Sequence, residues 1–104
     1  MPHLKLMDNI HGAIAHSDQL TVGYITLEKG AKLPEHAHIH EQWSHVVEGE
    51  LEFILGEEKQ VMTKGMSVFI PSNIAHSAKA LSRCVLIDTF LPVREDFKKL
   101  ERWK

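Results

Sequence analysis

Imidazole side chains are concentrated in one short stretch of this 104-residue chain, which contains eight histidines in all. His36, His38 and His40 alternate with other residues, and His76 follows further along. Alternate side chains of a β-strand share a face, so the first three point the same way if residues 35–40 are extended. Histidine is the commonest metal ligand in proteins, and two imidazoles on one inward face can hold a single ion. The pattern therefore favours a metal site over three solvent-exposed strand histidines.

The chain around these histidines divides into short segments rich in β-forming residues. We predict strands at residues 19–28, 35–40, 43–48, 51–55, 60–63, 66–70, 75–80 and 83–91. Turn residues separate them at Gly49-Glu50, which resembles a hairpin turn, at residues 56–58 and at Lys64-Gly65. Short strands with a turn about every 8–12 residues are typical of an all-β sandwich or barrel.

The end of the chain has a different period. Val93, Phe97 and Leu100 fall at positions i, i+4 and i+7 after Pro92, which is the spacing of one helix face. Acidic residues come near the start of this segment and basic residues toward its end, an order that complements a helix dipole. We predict a short helix over residues 93–103 that packs on the β-structure.

Length and composition restrict the class of protein. We expect one domain over residues 1–104, because 104 residues leave no room for a second. The formal charge of −2 offers no electrostatic footprint for nucleic acid, and no apolar run is long enough to span a membrane. The start has no apolar signal-peptide stretch, and Cys84 is the sole cysteine, so we expect a reducing cytoplasmic location. The small core that such a chain can bury, together with fold-level analogy, leads us to expect a homodimer.

Two segments resemble the two sequence motifs of the cupin family. The first motif is met by Gly30, His36, His38, Gln42 and Gly49, and the second by Gly65, Pro71, Asn73 and His76. Asn73 stands where the family usually has glycine, and asparagine also tolerates positive φ. The resemblance extends over residues 30 to 91. It implies an antiparallel cupin β-barrel of the jelly-roll type, followed by the short C-terminal helix.

Carried over residue by residue, the cupin resemblance implies four ligands for one divalent metal ion. These are His36, His38, Gln42 and His76. Gln42 stands where many cupins have glutamate, and Glu41 should face away from it if the segment is extended. His40 and His45 remain alternate ligands. An imidazole-rich site without thiolates suits Zn, Ni, Mn, Fe or Cu.

The end of the last predicted strand resembles small cupins of the KdgF type. Asp88 and Arg94 match an aspartate and an arginine that face the metal in that family, and Phe90 matches a phenylalanine between them. The resemblance implies a sugar-acid substrate, a 4,5-unsaturated monouronate released from pectin or alginate, which is converted to a linear keto sugar. Arg94 would pair with the uronate carboxylate, and Asp88 would serve as general acid–base.

Other interpretations of these residues remain. Asp88 could form a salt bridge or cap at the barrel rim, and Arg94 could be a solvated helix residue. A metal-dependent dioxygenase with Fe(II) on the same histidines is one alternative function, which bound iron and oxygen uptake would reveal. A non-enzymatic sugar-binding or sensor cupin is the other, which tight binding without turnover would reveal.

Overall fold

The fold is mostly β, as predicted. A computed structural model describes residues 4–98 of the chain. Its elements are β1 (Leu4–Met7), β2 (Ile10–His16), β3 (Thr21–Leu27), β4 (Lys32–His36), β5 (Glu41–Glu48), β6 (Leu51–Leu55), β7 (Glu58–Met62), β8 (Ser67–Ile70), β9 (His76–Ala80), β10 (Cys84–Leu91) and α1 (Glu95–Lys98). None of the helices in residues 4–98 is both long enough and apolar enough to cross a membrane.

The strands form two antiparallel sheets. One sheet has six strands in the order β1-β2-β3-β10-β5-β8, and the other has four in the order β4-β9-β6-β7. The two sheets are not joined into a single closed ladder of hydrogen bonds. Strand β10 is central to the larger sheet, where it pairs with β3 on one side and β5 on the other. Because side chains alternate along a strand, every second residue of β10 points inward toward the smaller sheet.

The hydrophobic core lies between the two sheets. The larger sheet contributes Ile10, Ile25, Leu27, Val46, Ile70 and Leu86, and the smaller sheet contributes Leu51, Phe53, Met62 and Ala78. Burying one large aliphatic or aromatic side chain stabilises a fold by about 1.5–3 kcal/mol. Inward-facing positions near one end of this core carry polar side chains instead, and that end holds the candidate site.

The prediction of a hairpin at Gly49-Glu50 is wrong. Strand β5 belongs to the six-stranded sheet and β6 to the four-stranded sheet, so this turn is a corner between sheets. Gly49 has φ of +93°, and a Cβ there would lie 2.2 Å from the carbonyl oxygen of Arg83. Both facts require glycine at this corner. The next turn does close a hairpin, in which Leu55 of β6 pairs with Glu58 of β7.

The predicted strand over residues 35–40 is also wrong for residues 37–40, because β4 ends at His36. Strands β1 and β2 were not predicted. In β2 the buried positions alternate as a strand requires, but one of them is Gly12, which weakens the β-forming pattern. A Cβ at Gly12 would lie 2.2 Å from the carbonyl oxygen of Tyr24, so the close approach of β3 explains the glycine.

The predicted C-terminal helix over residues 93–103 is confirmed for residues 95–98 and is wrong for residues 93–94. Helix α1 spans Glu95–Lys98, whereas residues 99–103 of the prediction lie outside the described part of the chain. Arg94 comes just before the helix rather than within its first turn. Phe97 packs its ring edge-on against Phe90 of β10, with ring centroids 5.6 Å apart, which docks the helix on the larger sheet.

Candidate metal centre and its pocket

Three histidines from two segments of the chain meet at one end of the core. One ring nitrogen from each of His36, His38 and His76 lies within 4.8 Å of the other two. His36 ends β4 and pairs in register with His76 at the start of β9, while His38 lies in the loop that follows β4. The cluster is therefore positioned to bind a metal ion.

Hydrogen bonds orient all three imidazoles in the same way. Each Nδ1–H donates to a backbone carbonyl two residues away: His36 to Pro34 at 2.8 Å, His38 to His40 at 3.0 Å, and His76 to Ile74 at 2.8 Å. This tautomer leaves the Nε2 lone pair available, and such outer hydrogen bonds are typical of metal-binding histidines. His76 Nε2 is buried and has no hydrogen-bond partner within residues 4–98. A buried polar atom without a partner is costly, and a metal ion would satisfy it.

The surroundings of His38 and His76 favour the uncharged form of these two rings. Burial lowers the pKa of His76 to about 4, an effect that the carbonyl of Ile74 partly offsets. Burial also lowers the pKa of His38, and the nearby Arg94 guanidinium lowers it further. Only a neutral imidazole can ligate a metal, so these shifts favour the form of His38 and His76 that can bind one.

The side chain of Gln42, on β5, points toward the three-histidine cluster. Its Oε1 lies 3.0 Å from His38 Nε2, and its Nε2 donates a hydrogen bond of 2.9 Å to Ser44 Oγ. With His38 protonated on Nδ1, two lone-pair atoms face each other across that 3.0 Å gap. Adjacent ligands on an octahedral ion with bonds of about 2.1 Å are also about 3.0 Å apart. The residues present thus fit a divalent ion, and the neutral donors leave its charge undiminished.

The alternate ligands do not belong to this cluster. His40 has its ring centroid 5.6 Å from that of His38, and its Nδ1 is buried without a hydrogen-bond partner in the described part of the chain. His45 lies on the opposite face of β5, where its Nδ1 contacts Ser67 Oγ. Glu41 is exposed, as the alternation along β5 predicts, while Gln42 is buried.

The loop of the second motif, at residues 71–75, hydrogen-bonds to the loop of the first motif that carries His38. Asn73 has φ of 65°, which confirms that asparagine takes a conformation usually left to glycine. Its backbone N–H donates to the carbonyl of His38 at 2.8 Å, and Ser72 Oγ donates to the carbonyl of Ile39 at 2.6 Å. The two hydrogen bonds hold the loop after β4, which has left the strand conformation, so that His38 still faces His76.

Asp88 lies on the inner face of β10, on the strand adjacent to Gln42. It pairs in register with Gly23 of β3 and Ser44 of β5, and Gly23 offers no side chain to fill the space beside it. Burial raises the pKa of the Asp88 carboxyl to about 6, although the Ser44 hydrogen bond and the Arg94 charge lower it. Its Oδ1 is buried and has no hydrogen-bond partner among the described residues. Asp88 can therefore exchange a proton near neutral pH.

Arg94 is held by other residues of the chain. Its Nε and Nη2 donate to the two carboxylate oxygens of Asp96, at 2.9 and 2.7 Å. The guanidinium lies 4.8 Å from the ring centroid of Phe90 and 3.9 Å from that of Phe97. Its backbone N–H donates to Thr21 Oγ1 at 2.8 Å. Asp96 is a partner of Arg94 that was not anticipated from the sequence.

A pocket of about 440 Å³ connects these groups. Its polar lining includes His36, Gln42, His76, Asp88 and Arg94, and the rest of the lining is largely apolar. The four proposed ligands and the two proposed catalytic residues all line this pocket except His38. His38 contacts Gln42 and His76, which do line it. Ser44 was missed, although it stands two residues after Gln42 on the same strand face, a signal that was available in the sequence.

Comparisons with known proteins agree with this architecture. The sequence model of the family described as "Cupin domain" matches residues 23–90. The "Pectin degradation protein KdgF" of Dickeya dadantii (strain 3937) is 36% identical over 86 residues, which are 81% of this chain and 78% of that protein. A solved RmlC-like cupin from Shewanella frigidimarina NCIMB 400 superposes with a TM-score of 0.89 at 35% identity, covering 92% of this chain and 87% of that one. The structure of KdgF from Halomonas sp. gives a TM-score of 0.88 at 30% identity, covering 93% and 91% of the two chains.

Proposed function

This chain belongs to the cupin family, and we propose that it is a metal-dependent enzyme that opens and ketonises 4,5-unsaturated monouronates. The observation that carries the proposal is the pocket in which two members of the three-histidine cluster, His36 and His76, lie with Arg94 and with Asp88, whose Oδ1 is buried. The relatives named KdgF support a sugar acid as the substrate class, since one of them is described as a pectin degradation protein. Pectin is a polymer of uronic acids, so its fragments carry the carboxylate that an arginine can recognise.

We propose that one divalent ion is held by His36, His38, Gln42 and His76. Zn, Ni, Mn, Fe and Cu are all compatible with three imidazoles and an amide oxygen. An ion bound there would supply Lewis-acid polarisation of a sugar oxygen.

Arg94 is proposed to bind the substrate carboxylate. Asp96 uses the edge of the guanidinium formed by Nε and Nη2, which leaves the N–H groups of Nη1 for a second carboxylate. Phe90 and Phe97 pack against the same guanidinium and limit its rotation. A charge-assisted pair at this position would orient the uronate so that its C4=C5 bond faces Asp88.

Asp88 is proposed to move the protons. Ring opening of the hemiacetal breaks the bond between C1 and the ring oxygen, the C1 hydroxyl loses a proton as the aldehyde forms, and an enol remains at C5. Ketonisation then places a proton on C4 while the enol oxygen loses its own. The net change is an isomerisation without oxidation or reduction. A carboxyl with a pKa of about 6 can give a proton to C4 and take one from a hydroxyl.

The test is a spectroscopic assay with purified, metal-loaded protein. An unsaturated monouronate absorbs in the ultraviolet through its conjugated C4=C5 bond and carboxylate, and this absorbance should disappear with time. Chelator-treated protein is the matched control. The proposal is overturned if metal-loaded protein gives no rate above background. Oxygen uptake during turnover would indicate the dioxygenase instead, and tight binding of the uronate without turnover would indicate a sugar-binding or sensor cupin.

The cytoplasmic location and the homodimer stay predictions of the sequence. We also propose that the substrate is a small molecule. The grounds are the size of the pocket and the similarity of this chain to the KdgF relatives.

A further inference from the structure

One inward-facing row of side chains runs across the six-stranded sheet at the end that holds the candidate site. We call it the inner row, and its members in cross-strand register are His16 of β2, Thr21 of β3, Phe90 of β10 and Gln42 of β5. Residues paired in register project to the same side of a sheet. Phe90 and Gln42 line the pocket. The inner row therefore continues from the pocket to Thr21 and His16.

Arg94 lies against the middle of the inner row. The chain returns there four residues after Phe90. The backbone N–H of Arg94 donates to Thr21 Oγ1 at 2.8 Å, and its guanidinium lies 4.8 Å from the ring centroid of Phe90. The side chain of Arg94 is only 11% exposed. One residue of the row thus holds the main chain of Arg94, and its neighbour in the row packs against the side chain.

The backbone of Arg94 is also the point from which α1 begins. Its carbonyl accepts hydrogen bonds from the N–H groups of Phe97 and Lys98, at 3.1 and 3.2 Å. The N–H of a residue at this position has no partner within the helix and needs one outside it, which Thr21 supplies. Asp96 and Phe97 both contact the guanidinium of Arg94. The hydrogen bond from Thr21 therefore fixes the start of the segment that orients this guanidinium.

Thr21 is itself held in one orientation. Its side chain is completely buried, with 0% exposure. Its Oγ1 lies 2.8 Å from Nδ1 of His16 as well as 2.8 Å from the backbone nitrogen of Arg94. A hydroxyl has one proton and two lone pairs, so both contacts are satisfied when it donates to His16 and accepts from Arg94. The His16 ring then fixes the rotation of the hydroxyl and directs a lone pair at Arg94.

We infer that Thr21 is a positioning residue for the substrate carboxylate and that it acts through Arg94. This inference rests on the proposed function, in which Arg94 binds the uronate. Thr21 is not among the residues of the described chain that line the pocket, so its effect is transmitted by the backbone of Arg94. Small displacements are sufficient, because misplacing a substrate-positioning group by about 1 Å already weakens its function.

Two substitutions separate the hydroxyl of Thr21 from its shape. Thr21→Val keeps the branched side chain and removes the hydroxyl, whereas Thr21→Ser keeps the hydroxyl. Thr26→Val is the matched control, because Thr26 is also buried on β3 and, five positions along, faces the opposite side of the sheet. Urea unfolding shows which variants are folded. If Thr21→Val does not fold, Thr21→Ala takes its place.

Hydrogen exchange at the backbone amide of Arg94 tests the contact without any turnover. In Thr21→Val this amide should exchange about five- to tenfold faster than in wild type, because one hydrogen bond is lost. Thr21→Ser should restore the wild-type rate, and Thr26→Val should not change it. An Arg94 amide that exchanges at the wild-type rate in Thr21→Val overturns the inference.

Steady-state kinetics on the same proteins test the consequence for substrate binding. In Thr21→Val, KM for an unsaturated monouronate should rise about fivefold with little change in kcat, and Thr21→Ser should restore it. A merely structural role would reduce the amount of active protein, and so kcat, without raising KM. An unchanged KM in Thr21→Val overturns the inference, and so does a rise that Thr26→Val shares.

The proposed function and this inference fail in different ways. Absence of turnover in metal-loaded wild type overturns the proposed function alone. Calorimetry with a saturated monouronate then measures Kd in place of KM. Binding about fivefold weaker in Thr21→Val than in wild type and Thr26→Val supports the inference. Equal binding by the three proteins, or no binding by wild type, overturns it.

Discussion

Asp96 binds Arg94 through both carboxylate oxygens, at 2.9 and 2.7 Å, and so holds the guanidinium against the rings of both Phe90 and Phe97. The pair joins the residue before α1 to the first turn of that helix. Since Arg94 also lines the pocket, its orientation toward a bound carboxylate depends on this short segment.

We expect Asp96→Asn to weaken substrate binding more than catalysis. An amide can accept from only one of the two donors and carries no charge, so the guanidinium loses its fixed plane. Under the proposed function, KM for an unsaturated monouronate should rise about fivefold, the effect of roughly 1 kcal/mol, with a smaller change in kcat. Steady-state kinetics measure the two constants separately.

The matched control for Asp96→Asn is Glu95→Gln, in the same helical turn. Glu95 pairs with Lys98 rather than with Arg94, so its replacement should leave KM unchanged. A lower KM in Asp96→Asn would contradict the expectation, because it would mean that Asp96 competes with the substrate for Arg94.

The metal prediction is tested with two histidine variants. Wild type should bind one divalent ion per chain, and His76→Ala should bind it at least about tenfold more weakly, since removing groups that support a metal site typically costs 10–100-fold in affinity. His45→Ala is the control, because His45 lies on the opposite face of β5 from Gln42 and contacts Ser67. Elemental analysis after dialysis against known metal concentrations gives the affinities. Wild-type affinity in His76→Ala would exclude His76 as a ligand.

The general acid–base role predicts a different outcome for Asp88→Asn. Turnover should fall by about 10²–10⁴, the usual contribution of general acid–base catalysis, while metal content stays at the wild-type level. Arg94→Ala should instead act mainly on substrate binding. The ultraviolet assay and elemental analysis on the same samples separate these effects. An unchanged rate in Asp88→Asn would move the proton transfer to another group, with His40 and Glu41 the next to test.

The sequence identified the family, the four candidate ligands and most strands, because motif spacing and turn residues are local signals. The argument from strand alternation was nevertheless wrong for His38, since β4 ends at His36. His38 reaches the cluster because the loop carrying Asn73 binds its backbone. That contact joins residues 35 positions apart, so no local pattern could indicate it.

The assignment of strands to sheets was equally beyond local reasoning. Strands β5 and β6 are separated only by Gly49 and Glu50, yet they lie in different sheets because β5 pairs with β10 and β8, whereas β6 pairs with β9 and β7. The contact between Arg94 and Asp96 is made because α1 begins at Glu95, which leaves Arg94 outside the helix. In a helix that began at Val93, residues two positions apart would not face each other. In contrast, the place of Ser44 beside Gln42 follows from alternation alone.

Two buried groups should make the stability of the metal-free protein depend on pH in opposite directions. The pKa of Asp88 is raised to about 6 in the fold, so its stabilising contribution is complete below an unfolded pKa near 3.8 and is lost as pH rises through about 6. The pKa of His76 is lowered to about 4, so its contribution is complete above an unfolded pKa near 6.5 and is lost as pH falls toward 4. Each shift corresponds to about 3 kcal/mol, so the two largely cancel between pH 4 and 6 in wild type.

Substitution of either group should therefore reveal how the other makes the free energy of unfolding depend on pH. In chelator-treated Asp88→Asn the His76 contribution remains, and the free energy of unfolding should rise by about 3 kcal/mol between pH 4 and 6.5. In His76→Gln the Asp88 contribution remains, and the free energy of unfolding should fall by a similar amount between pH 4 and 6. Urea unfolding at half-unit pH steps measures both slopes relative to wild type, and Glu95→Gln, which alters an exposed carboxylate, should keep the wild-type profile. Parallel profiles for Asp88→Asn and wild type would show that the Asp88 carboxyl titrates alike in the folded and unfolded chains, and its use as a proton donor near neutral pH would then be excluded.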